Sequence, residues 1–191
     1  SRYAIALRWS ALDAGNRTIS SLVQANMAQD VDEIVAAFST FHSPMQNLVA
    51  ADTKGKTVFR TIGVIPQRAA DNDIRGIAPS PGWEARYDWT GWVPAAQVPT
   101  VGSDAIAAKG WHVTANQRIH PADFPVYMGS DWVTPERFDR IEALLGAKPK
   151  HDVQSMQAVH ADTLSIPAQR LLPLLKATQS NHAKAADAQA L

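Results

Sequence analysis

Two side chains in this sequence are of types that could do chemistry on a polar bond. Asn116 closes a short apolar run, Trp111 to Ala115, that reads as a strand, and Gln117 and Arg118 follow it inside a proline-bracketed loop. An amide N–H2 held at such a point can donate to an oxygen that gains negative charge during a reaction. The structural alternative is an asparagine that makes a turn. Arg137 falls in the first turn of an expected helix, where the macrodipole disfavours a cation. An arginine kept there answers to a carboxylate or a substrate acid, unless it is simply solvated. Several generic motifs are absent: there is no Gly-x-Ser-x-Gly elbow, no His-Glu-x-x-His and no phosphate-cradling glycine loop. The six histidines (His42, His112, His120, His151, His160 and His182) are scattered, and His151 and His160 do not share a helix face at metal-ligand spacing. They read as exposed or singly bonded imidazoles.

Four of the six tryptophans lie between Trp83 and Trp111, beside Gly, Pro, Asp and Asn. A buried indole brings much apolar area and one N–H that needs a partner. Trp83, Trp89 and Trp92 therefore point to a shaped, ordered surface, with these rings bracing the loop that carries them. Most of the twelve prolines fall between Pro66 and Pro135. Residues 66–133 thus read as a long Trp/Pro-rich loop region with one short strand, 111–115. A loop of that length is unusual in a free-standing domain, so the chain is expected to belong to something larger. A complete, loop-rich domain is the alternative.

The elements that must hold these residues are clearer at the two ends. Tyr3 to Trp9 is an apolar, strand-like run, and Thr18 to Asn26 suits a short helix. Asp30 with Glu33 makes a capping box for a helix with Ile34, Val35 and Phe38 on one side, stopped by Ser43-Pro44. Met45 to Ala51 and Val58 to Val64 flank the turn Asp52-Thr53-Lys54-Gly55 and predict a hairpin. Residues 1–65 therefore supply strands, helices and hairpin. Residues 134–179 are helical. The first helix starts with Thr134 as cap and Pro135 as its first residue; it buries Phe138, Ile141, Leu144 and Leu145 and ends at Gly146. Asp152 to Ala161 and Ser165 to Leu175 follow, with Pro173 expected to kink or end the last. Residues 180–191 form an Ala-rich tail. The whole is an α+β chain.

Composition excludes several classes. Eighteen basic and eighteen acidic residues cancel, leaving no field to attract nucleic acid or an anionic membrane. No apolar run approaches a membrane span. Cysteine is absent, which removes disulfides, thiol nucleophiles and zinc–thiolate sites.

Pieces spread along the chain carry a likeness. They are Ala6-Leu7-Arg8-Trp9, Asn47 to Asp52 with Gly55, Gly63 to Arg68, Asp88 to Pro94, Thr114-Ala115-Asn116, Asp123-Phe124-Pro125, Arg137 to Leu145, and Ala161 to Ser165 with Leu171 to Leu175. In this order and spacing they resemble the penicillin acylase (penicillin amidase) family of N-terminal nucleophile hydrolases. The resemblance implies a four-layer αββα sandwich, of which residues 1–191 form a single internal segment of the large chain. It implies an acylase that cleaves an amide of the β-lactam side-chain or N-acyl-homoserine-lactone type. In that family a precursor is cleaved, and the new N-terminal Ser is nucleophile while its own amine, with a pKa near 8, is base. Ser1 stands immediately before the Arg-Trp motif, well short of the family's spacing, so it is not expected to be that nucleophile and the segment alone is expected to be inactive. Asn116 matches the family's oxyanion-hole Asn, and Arg137 its active-site Arg. Asp123 or Asp131 would contribute to a structural calcium; catalysis needs no cofactor. The implied partners are the remainder of the large chain, the small chain of the same precursor and a small-molecule amide substrate, with no nucleic acid and no membrane. The implied location is periplasmic or secreted. A non-catalytic binding or assembly module on the same scaffold is the rival reading.

Overall fold

The hairpin is held by one carboxylate at its turn. In the computed structural model, which describes residues 3–190, β1 (Gln46–Ala51) pairs antiparallel with β2 (Thr57–Ile62) from Gln46↔Ile62 to Ala51↔Thr57. The Asp52 side chain accepts from Lys54 N and Lys56 N, each at 2.9 Å, and its second oxygen accepts from Val31 N at 3.3 Å. Gly55 takes the positive φ (85°) that the turn requires. On its other edge β2 pairs with β5 (Thr100–Val101) through Phe59↔Val101. Being central, β2 buries Val58, Phe59, Thr61 and Ile62 rather than alternating. β1, an edge strand, stays largely open.

Two helices cover the same region. α1 (Thr18–Ala25) meets the end of α2 (Val31–Ala37) where the fully buried Ser21 hydroxyl donates to Ala37 O at 2.7 Å. Thr18 Oγ1 accepts from the amides of His42 and Ser43 and donates to Ser43 O, so one hydroxyl holds the chain leaving α2. Asp30 caps α2 through Asp32 N and Glu33 N. The expected capping box is altered, because Glu33 reaches one residue further back and accepts from Gln29 N at 2.7 Å.

The middle region is not one loop. β3 (Pro66–Arg68) and β4 (Trp89–Trp92) form a second, two-stranded antiparallel sheet with a bulge between Gln67 and Arg68. α3 (Ser103–Lys109) follows β5. Ile65, Val98 and Met128 form a buried cluster, with Val93, Ile119, Phe124, Val126 and Trp132 against it. Two strands expected from the sequence do not form. Residues 3–9 and 111–115 have no ladder, although Tyr3, Ile5, Leu7 and Trp9 are exposed apolar side chains.

The chain divides into two compact units: residues up to His112 with Ile119–Trp132, and Val113–Arg118 with the residues from Val133 onward. The first holds all five strands found among the described residues. The second is helical. α4 (Glu136–Gly146) has Pro135 as its cap, one residue later than expected, and buries Leu145 while Phe138, Ile141 and Leu144 are half-covered. His151 Nε2 donates to Leu145 O at 2.9 Å and so ties the end of α4 to α5 (Val153–His160). α5 opens with a reciprocal capping box between Asp152 and Ser155. Arg140 of α4 grips Asp162 with two hydrogen bonds, 2.9 and 2.5 Å. α6 (Ile166–Ala177) runs through Pro173 without ending, and α7 (Ala185–Ala190) closes the described chain. Leu171, Leu172, Leu174 and Leu175 of α6 are exposed.

Gly63 shows where backbone alone fits. Its φ is 97°, and a Cβ there would stand 2.8 Å from Met45 Cα. Gly55 has a similar φ but open space around it. Gly63→Ala is therefore expected to destabilise by about 2 kcal/mol or more, and Gly55→Ala by only the left-handed cost of about 1–2 kcal/mol. Comparing the two melting temperatures checks this; equal losses would remove the clash from the account.

Candidate functional site

Asn116 sits between two buried residues, Ala115 and Gln117, on a segment whose side chains alternate in burial. Its φ is 66°, in the left-handed region that L-residues other than Asn and Gly seldom occupy. The conformation is held on both sides. Gln117 Oε1 accepts the Ala115 N–H at 2.7 Å, and Val133 N donates to Asn116 O at 2.9 Å. With the chain turned this way, the Asn116 side chain is exposed while its neighbours are not.

Arg137, in the first turn of α4, donates from Nη1 to Asn116 Oδ1 at 3.3 Å. A guanidinium can only donate, so this contact decides which end of the amide is which. Oδ1 is engaged, and the N–H2 group is left as a donor with no protein acceptor among the described residues. The unfavourable helix position of Arg137 is thus explained by an amide oxygen rather than by an acid; among the described residues no carboxylate pairs with Arg137. Glu136 beside it supplies the negative charge that the helix start favours. The Thr134 hydroxyl and then Arg170, 3.5 Å away, hold its carboxyl below the usual range.

The sequence therefore marked two residues that the structure brings together. It missed Gln117 and Val133, which hold the backbone. A signal existed for the turn, since asparagine is the residue besides glycine that best tolerates a left-handed backbone. Nothing in the sequence marked Gln117 as an acceptor for its own neighbourhood.

The other marked residues belong to the first unit. Trp89 and Trp92 lie 5.3 Å apart on β4, with the Arg8 guanidinium 4.8 Å over Trp89 and the His42 ring edge-on to Trp92 at 5.2 Å. Both rings thus have aromatic and cationic neighbours within the first unit. Trp83 is different: it is 76% exposed and stacks on Tyr3 at 6.2 Å. Asp123 and Asp131 are exposed, and among the described residues no group of three or more His or acidic side chains could hold a metal ion. Asp131 lines a cavity of about 240 Å³ together with Arg68 and Arg75. Two guanidinium groups at that cavity disfavour a cation there. Ser1 lies outside the described residues.

The chain matches the family model for penicillin amidase over residues 1–191. It is 32% identical to the acyl-homoserine lactone acylase QuiP of Pseudomonas aeruginosa over 166 residues, 87% of this chain and 19% of that protein. It is also 38% identical to the penicillin acylase 2 proenzyme of Pseudomonas sp. (strain SE83) over 119 residues, 62% of this chain and 15% of that protein. The chain thus spans about a fifth of the length of the curated relatives it matches.

Two outcomes follow from the geometry of the second unit. Asn116→Gly is expected to melt above Asn116→Ala, although glycine ordinarily costs about 0.5–1 kcal/mol more than alanine. The reverse order would show that the backbone there is not held left-handed. Asp152 and Asp162 both titrate below the ordinary aspartate range, Asp152 through the Ser155 amide and hydroxyl, Asp162 through Arg140. Carboxyls depressed by folding stabilise the fold above their unfolded pKa and lose that contribution as pH falls through the folded value. Helix melting followed by circular dichroism should therefore drop steeply below the aspartate range, and Asp162→Asn should flatten that drop. An unchanged acid profile would count against the Arg140–Asp162 pair as a stabilising contact.

Proposed function

This chain belongs to the penicillin amidase family, and we propose that it is a large-chain segment of an N-terminal nucleophile acylase, carrying the oxyanion donor and the arginine that orients it. The observation that carries the reading is the Arg137 Nη1 to Asn116 Oδ1 hydrogen bond of 3.3 Å, which engages the amide oxygen and leaves the Asn116 N–H2 as a donor. The reaction class is hydrolysis of a linear amide. A serine from another part of the parent protein attacks the acyl carbonyl, its own α-amine taking the hydroxyl proton. As the carbonyl oxygen becomes an oxyanion, the Asn116 N–H2 donates to it; Arg137 keeps the amide from flipping. The amine leaves with a proton, and water then releases the acid from the acyl-enzyme.

The names of the relatives support an acyl group joined to a homoserine lactone or to a β-lactam nucleus as substrate. The word proenzyme in one of them supports a precursor cut into chains. The described chain's exposed apolar residues, Tyr3, Ile5, Leu7 and Trp9 before α1 and the leucines of α6, support burial against the rest of such a precursor. In that assembly the two small sheets become part of a four-layer αββα sandwich, and the chain by itself does not turn over.

The test uses the processed full-length protein. Asn116→Ala is expected to lower kcat for N-acyl-homoserine lactone hydrolysis by about 100- to 1000-fold with KM little changed, the signature of a donor used in the transition state. Near-normal kcat in Asn116→Ala would sink the assignment.

A further inference from the structure

Gln117 follows the proposed donor and points away from it into the fold. It is 9% exposed, whereas glutamine usually faces solvent. Its Oε1 accepts the N–H of Ala115, itself 4% exposed, at 2.7 Å. The side chain therefore reaches back across Asn116 and closes a small ring around the one residue in the second unit whose backbone is left-handed among the described non-glycine residues. Such a conformation persists only where several contacts over-determine it. Two of those contacts, Gln117 to Ala115 and Val133 to Asn116 O, act on the main chain, and one, Arg137 to Asn116 Oδ1, acts on the side chain.

The main-chain contacts set where the amide can go. If φ at Asn116 relaxed to the common negative region, Cα–Cβ would swing to another direction and the amide would leave Arg137. Losing the Gln117 oxygen favours that relaxation, because it strands a buried N–H that can find a new partner only if the backbone moves. We propose that Gln117 is a positioning residue for the Asn116 amide: its side-chain oxygen locks the left-handed turn that presents the donor. This rests on the reading of Asn116 as the oxyanion donor. Gln117 acts only through its neighbour's backbone.

The experiment is a double-mutant cycle in the processed full-length enzyme, with N-octanoyl-homoserine lactone as substrate. Gln117→Leu is expected to lower kcat about tenfold or more and to move KM by less than about twofold. Gln117→Glu, which keeps an oxygen at the acceptor position, should stay within about threefold of the parent kcat. In an Asn116→Ala background, Gln117→Leu should change kcat by less than about twofold, because the group it positions is already gone. Gln117→Met, unbranched and close in volume, takes the place of leucine if that variant does not fold. A Gln117 effect of equal size in both backgrounds overturns the proposal, as does an unchanged kcat in the parent background. Asn116→Ala with normal kcat would instead defeat the functional reading on which the proposal stands.

Discussion

A single backbone inversion governs the site. Residues 113–118 run with alternate side chains buried, and Asn116, at an exposed position of that alternation, adopts φ 66°. The turn carries an exposed polar side chain whose oxygen accepts from Arg137 of α4 at 3.3 Å, and the proposed chemistry depends on that turn being kept. A left-handed asparagine costs less than any other non-glycine choice, and glycine would bring no amide. The residue type suits the backbone it must tolerate, and under the proposed function it also carries the donor.

The first unit uses the same economy in a different setting. Its loops are gathered by individual polar atoms that each serve several segments. Thr18 Oγ1 holds the amides of His42 and Ser43, Asp52 holds the hairpin turn and the start of α2, and Ser21 Oγ joins two helices in a fully buried position. These hubs replace regular secondary structure where the chain lacks it. Each satisfies main-chain groups that helix and sheet pairing leave open, and at Ser21 that group is buried. In the second unit Ser155 and Asp152 do this for α5, and Arg140 with Asp162 links α4 to the chain beyond α5.

What the sequence revealed follows how local each signal was. The β1–β2 hairpin was legible because its turn, its register and its glycine lie within a few residues of one another. α2 and α4 were legible from caps and apolar spacing, and α1, α5 and α6 from their apolar residues without a cap. β3 and β4 were not: Pro66 and Gly91 break the alternation, and their pairing joins residues more than twenty apart in sequence. The apolar run at residues 3–9 carried a strand signal, yet a strand exists only with a neighbour, and none of the described strands pairs with it. At the site, Asn116 and Arg137 were visible as residue types. Their hydrogen bond spans twenty-one positions, and the Gln117 contact that sustains it has no sequence signature, since glutamine is not among the habitual turn residues.

The distribution of aromatic residues decides which part of the molecule light can see. All six tryptophans and all three tyrosines fall in the first unit, and the unit that holds Asn116, Gln117 and Arg137 contains neither type. Intrinsic fluorescence therefore reports on the sheets and the Trp-rich stretch while remaining blind to loss of order around the amide. The helical unit answers to far-ultraviolet dichroism. Unfolding curves from the two probes need not coincide, and any separation between them measures how far the halves of this chain melt as independent bodies.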